Sequence, residues 1–193
     1  MRVIVAKEKP INYNLIIDDC PSRTFRKKIE FLHKHGITAK CFCMGKLLAG
    51  RIDEAVEAVE LGFELGNHSY NHPKFTDITK DKAIDEVNLT EMLINYVYKK
   101  AGVGRIEKMF RYPYNVVAHE DIFSDFVIVN FNYDIGEYND WLTKQTLRER
   151  IREMKIPKEA TVLIHDHGDN EELFYTAISE LYKFDLPEDK IWV

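Results

Sequence analysis

Phe63-Glu64-Leu65-Gly66-Asn67-His68-Ser69-Tyr70-Asn71-His72-Pro73 is the stretch on which the reading of this chain turns. Its first four residues read as a short strand. That strand delivers two histidines four apart, a spacing that sets both on one side of a single helical turn. Such a pair offers two imidazole nitrogens to one metal ion. Two ligands are too few, because a hydrolytic zinc site takes three from the protein and keeps a position open for water. A plain core or surface pair has the same spacing, so the third ligand, an acid and a base must be sought elsewhere.

Upstream, Asp53 to Leu61 has helical periodicity through Ala55, Val56, Val59 and Leu61, and Gly62 follows it. Before that, Ala39-Lys40-Cys41-Phe42-Cys43-Met44 reads as a strand closed by Gly45. Thr24 to His35 is an amphipathic helix ended by Gly36. Tyr13-Asn14-Leu15-Ile16-Ile17 is a buried strand that runs into Asp18-Asp19-Cys20-Pro21-Ser22. Strand, helix, strand, helix, strand is the alternation of an α/β fold with parallel strands, whose functional groups gather at the carboxyl ends of strands. Asp18-Asp19 and His68/His72 both fall at such ends. Adjacent carboxylates there are costly unless something pairs with them.

Downstream, Thr79 caps a long helix to Lys100, ended by Gly102. Lys108-Met109-Phe110 leads into Arg111-Tyr112-Pro113-Tyr114, and an Arg at a strand end can partner a carboxylate. Phe126 to Phe131 reads as a strand, Thr143 to Met154 as a helix, and Ala160 to Ile164 as a strand ending at His165-Asp166-His167. A helix from Glu171 to Lys183 and a short strand at Lys190-Ile191-Trp192-Val193 close the chain.

The 193 residues suit a single domain spanning 1–193, large enough to bury a core without disulfides. Lys and Arg number 27 against 32 Asp and Glu, a net charge of −5 that supplies no basic stripe for nucleic acid. No window approaches the roughly eighteen apolar residues of a membrane span. The apolar stretch near Met1 is too short for a secretory segment, so the chain reads as cytoplasmic. Its 3 cysteines, Cys20, Cys41 and Cys43, read as small buried hydrophobes and not as a disulfide framework. His33, His35 and His119 read as surface or structural residues, and His167 as part of a loop.

The polar clusters that follow the strands come in an order that resembles the polysaccharide deacetylases, the NodB-homology domains of carbohydrate esterase family 4. Asp18-Asp19 with Pro21-Ser22 is similar to that family's first motif, and His68-Ser69-Tyr70-Asn71-His72 to its second. Arg111-Tyr112-Pro113-Tyr114 is similar to the third. Asp140-Trp141, with Glu137 in the first acidic position, is similar to the fourth, and Leu163-Ile164-His165-Asp166 to the fifth. Cys20 and Asn115 stand where the family usually has glycine. Asn tolerates a left-handed turn, and Cys20 beside a ligand is expected to narrow the site or sensitise it to oxidation.

The resemblance implies an irregular (β/α) barrel of seven strands. It implies a metal-dependent hydrolase that removes an N-acetyl group from an N-acetylglucosamine-containing saccharide. Asp19, His68 and His72 would hold one divalent metal ion, zinc, with cobalt or nickel as alternatives. Asp18 would be the general base, held by Arg111, and His165 the general acid, held protonated by Asp140. The Tyr114 backbone N–H would meet the oxyanion, and Trp141 and Leu163 would line the acyl pocket. An O-acetyl esterase, a formamido-sugar deformylase and a non-catalytic sugar-binding domain are the alternatives that stay open at this point.

Overall fold

The computed structural model describes residues 13–139, 141–166 and 171–184. The expected tail strand at 190–193, His167 and Asp140 lie outside them. The chain forms β1 (Asn14–Cys20), α1 (Phe25–Lys34), β2 (Lys40–Cys43), α2 (Gly45–Leu48), α3 (Ile52–Glu60) and β3 (Glu64–Asn67). It continues with α4 (Lys80–Ala101), β4 (Met109–Phe110), β5 (Val127–Ile128), β6 (Tyr133–Asp134), α5 (Lys144–Met154), β7 (Thr161–His165) and α6 (Glu171–Tyr182). The seven strands make one sheet in the order β5-β4-β3-β2-β1-β7-β6. Every pairing in it is parallel.

The sheet curls into a half-barrel, and chain length shows why. β5 lies at one edge and β6 at the other, yet only residues 129–132 join Ile128 to Tyr133. Five peptide steps reach at most about 18 Å. In a flat sheet the two edges would stand roughly 28 Å apart. The expected strand from Phe126 to Phe131 is therefore split. Its first part pairs with β4, and the remainder bridges the gap and turns Phe131 inward against the Arg111 guanidinium, 4.7 Å from the ring centroid. β6, for which the sequence carries no strand pattern of its own, is the seventh strand of the barrel.

Strand alternation divides the apolar side chains of the sheet between its two faces. Leu15, Ile17, Cys41, Cys43, Val162 and Ile164 face the helices and join the main core. Ile16, Phe42, Met109 and Leu163 point the other way and pack together. Both faces are buried, so the strands carry nearly unbroken apolar runs. Gly66 is required by close approach, since a Cβ there would stand 2.4 Å from the Phe42 ring. Cys20 belongs to the main core and not to the site: it is fully buried, and its Sγ donates to the Ile17 carbonyl at 3.2 Å. It narrows nothing, and burial pushes its thiol well above the ordinary range. The long helix is capped as its sequence implies. Thr79 Oγ1 accepts from the Lys82 N–H at 3.3 Å, and Gly102 ends the helix at φ 67°.

Candidate active site

In a regular strand Asp18 and Asp19 would point to opposite faces. The β1–β2 register shifts between Ile17 and Cys20, and Asp19 takes a left-handed φ of 60°. Asp is among the few residues that visit this region readily. The irregularity lets both carboxylates reach one site at the carboxyl end of the sheet.

The two histidines arrive differently from the helical turn that their spacing suggests. Residues after β3 form an irregular loop with Ser69 at φ 63° and His72 at φ 61°. Asn67 Oδ1 accepts from the Ser69 N–H at 3.0 Å, and Ser69 Oγ accepts from the His72 N–H at 3.0 Å. Glu86 of α4, buried, accepts from the backbone N–H groups of Tyr70 and Asn71 at 3.0 and 2.6 Å and from Asn71 Nδ2 at 2.8 Å. Sequence reading passed over Glu86. Its signal was a carboxylate beside Ala83 and Val87 on the stripe that α4 buries.

Asp19, His68 and His72 bring their ligand atoms together. His68 Nε2 and His72 Nε2 are 3.2 Å apart, and Asp19 Oδ1 lies 3.7 and 3.6 Å from them. Zinc bonds of this kind at tetrahedral angles set donors about 3.3 Å apart, so the donor set fits a divalent cation. His68 Nδ1 contacts the Arg111 carbonyl at 2.8 Å. A carbonyl only accepts, so Nδ1 carries the proton and Nε2 presents a lone pair. Burial, with a smaller push from His72 and against the pull of the Asp19 carboxylate, lowers the His68 pKa to about 3, which keeps the ring neutral as a ligand must be.

Asp18 stands beside this group, with Oδ2 3.6 Å from His68 Nε2. Arg111 follows β4 and donates from Nε to Asp18 Oδ2 at 2.6 Å, both side chains 3% exposed. Burial raises the Asp18 pKa, while Arg111 and His165 pull it down. His165 ends β7 as the register partner of Asp18.

The carboxylate against His165 is Glu137. Its Oε1 accepts from the His165 backbone N–H and lies 3.3 Å from Nδ1. Burial alone would lower the His165 pKa, but the Glu137 contact and the charges of Asp18 and Asp19 together lift it to about 9. Asp140, to which the sequence gave this contact, lies outside the described residues. The signal for Glu137 was its place as the first acid of the fourth motif.

Tyr114 and Asn115 both adopt φ 56°, and the Tyr114 ring packs on His72 with centroids 4.6 Å apart. Leu163 lines the cavity, as does Tyr138, which meets the His165 ring at 4.5 Å. Trp141 is 69% exposed and is not among the residues that line the cavity. The cavity measures about 890 Å³ and has Asp18, Asp19, His68, His72, Arg111 and His165 in its wall.

A curled seven-stranded parallel sheet with a carboxylate and two imidazoles at its carboxyl end defines an α/β protein with a candidate metal-hydrolase site. The profile of the polysaccharide deacetylases matches residues 6–122, and the chain belongs to that family, the NodB-homology domains of carbohydrate esterase family 4. A bifunctional xylanase/deacetylase of Pseudobutyrivibrio xylanivorans is 28% identical over 162 residues, 81% of this chain and 25% of that protein. A peptidoglycan-N-acetylglucosamine deacetylase of Bacillus cereus is 27% identical over 130 residues, 64% of this chain and 45% of that protein. The chain thus spans less than half the length of either relative. The structure of the peptidoglycan deacetylase PdaC from Bacillus subtilis superposes with a TM-score of 0.77 at 22% identity, covering 91% of this chain and 85% of that one. Among the described residues no helix is long and apolar enough to cross a membrane.

Proposed function

We propose that this chain is a metal-dependent hydrolase that removes the N-acetyl group from an N-acetylglucosamine-containing saccharide. The observation that carries the reading is the convergence of Asp19 Oδ1, His68 Nε2 and His72 Nε2, with Asp18 and its register partner His165 in the same cavity wall. The names of the relatives support the substrate class.

Asp19, His68 and His72 would hold the cation, zinc in our reading, with cobalt and nickel compatible with the same donors. When bound, a divalent ion there polarises the acyl carbonyl and makes a water in reach more acidic. Asp18 takes the proton of the attacking water on Oδ1, the oxygen that Arg111 does not occupy. Arg111 fixes the other oxygen and favours the ionised form. The Tyr114 backbone N–H donates to the oxyanion that develops on the acyl carbonyl. His165 gives its proton to the departing nitrogen, and Glu137 orients the ring through Nδ1. Water adds across the C–N bond, leaving acetate and a free amine. Leu163 forms part of the surface that meets the acyl methyl.

The test is acetate release from N-acetylglucosamine oligomers by metal-stripped protein resupplied with zinc, cobalt or nickel. Release only with metal is expected. No release from metal-loaded protein would overturn the reading.

A further inference from the structure

The cavity over the strand ends has unlike walls. Asp134, Tyr138 and His165 stand on the β6–β7 side. On the β1–β2 side the segment around α2 contributes Met44, Leu47 and Arg51.

The carboxylates of the wall are already committed. Asp18 takes Arg111, and Asp166 takes Lys28 at 2.6 Å. Asp134 accepts from the Gly136 N–H at 2.9 Å and the Tyr138 hydroxyl at 3.2 Å. Asp19 faces the two imidazoles.

Arg51 is different. Its Nη1 donates to the Leu47 carbonyl at 3.4 Å, which leans the guanidinium along α2. No carboxylate among the described residues forms an ion pair with it. Lys46, on α2 itself, is exposed, and its backbone N–H donates to the Tyr70 carbonyl of the histidine loop at 3.1 Å. Lys74 lies over the ring of Tyr114, another residue of the cavity wall, at 5.5 Å. Cations therefore border the cavity of a chain whose net charge is −5. Gathering like charges at a concave site costs repulsion that an anion relieves, and such a site draws anions in.

We propose that the saccharide carries an anionic group, a carboxylate or a phosphate, next to its acetamido sugar, and that Arg51 with Lys46 forms the subsite for it. This rests on the saccharide-deacetylase reading above. A guanidinium meets either anion with paired N–H donors. Met44 and Leu47 beside it give the sugar ring an apolar surface.

Three ligands form the test: di-N-acetylchitobiose as the neutral reference, the same disaccharide with a lactyl ether carboxylate on one sugar, and its 6-phosphate. Affinity for metal-loaded protein is measured by calorimetry and kcat/KM by acetate release. One or both anionic ligands are expected to bind about ten-fold more tightly than the neutral one. That preference shrinks as salt rises. Arg51→Ala with Lys46→Ala abolishes the ratio, and Arg51→Lys retains part of it. The better anionic ligand identifies the source of the charge. Equal affinity for all three ligands, or a ratio that survives the double substitution, overturns the subsite. Absence of acetate from every ligand would sink the hydrolase reading instead, and the calorimetric ratio would still decide the charge preference.

Discussion

Arg111 and Asp18 meet through one 2.6 Å hydrogen bond from Nε to Oδ2, while Asp18 Oδ1, equally buried, has no hydrogen-bond partner among the described residues. A buried carboxylate oxygen left without a donor is expensive. Asp18 lines the cavity together with His68 and His165, where an attacking water would supply the donor. Asp18→Asn keeps the shape and removes the base. It is expected to bind zinc with near-normal stoichiometry and to lose about 10²–10⁴-fold in kcat. Full turnover in this variant would take Asp18 out of the base role.

His165 has a raised pKa of about 9. The protonated form therefore stabilises the fold fully below the ordinary histidine value, and that contribution is lost as pH rises through about 9. In metal-free protein, NMR titration of His165 should report a midpoint near 9. A bound dication opposes the proton, so the alkaline limb of kcat in loaded enzyme falls at lower pH. Glu137→Gln removes the main partner of Nδ1 and should bring both midpoints down further. An unmoved NMR midpoint in Glu137→Gln would refute the coupling.

What the sequence disclosed and what it hid divide along local and non-local lines. The helices that start at Thr79 and Thr143 are legible because caps and periodicity act within a few residues. Asp18, Asp19, His68, His72, Arg111 and His165 are legible as clusters after apolar runs. The rest needs three dimensions. Tyr133-Asp134 is a strand because β7 is beside it, not through any pattern of its own. The histidine turn departs from a helix because Glu86, from a helix later in the chain, supplies acceptors to its backbone. Trp141 follows the family pattern in sequence, and only the folded chain shows that its side chain is exposed.

Glu86 makes a prediction of its own. The carboxylate fixes the loop through both backbone N–H groups and the Asn71 side chain, and His72 follows directly. Glu86→Ala leaves all three metal-ligand side chains intact. It is expected to weaken zinc about 10–100-fold, the range for supporting residues around a metal. A competition titration with a chelating dye reads this. Unchanged affinity would mean that the loop holds itself.

Lys28 and Asp166 form the other buried device. Lys28 is 1% exposed, and its Nζ lies 2.6 Å from Asp166 Oδ1. Asp166 also accepts from the Ser22 N–H at 2.6 Å and hydroxyl at 2.7 Å, and its own N–H donates to the Asp18 carbonyl at 2.8 Å. The pair thus ties α1 and the turn after β1 to the strand end that carries His165. Lys28→Met strands a carboxylate in the interior, a loss of about 3–5 kcal/mol. Burial already pushes Asp166 up against the pull of Lys28 and Ser22. Without Lys28 it rises further, so the penalty is full above that raised pKa and shrinks as pH falls through it. Lys28→Met with Asp166→Asn removes both charges and should recover most of the loss. Urea unfolding at two pH values measures all of this. A single variant as stable as the parent, or a double variant no better than the single, would show that the pair carries no net electrostatic weight.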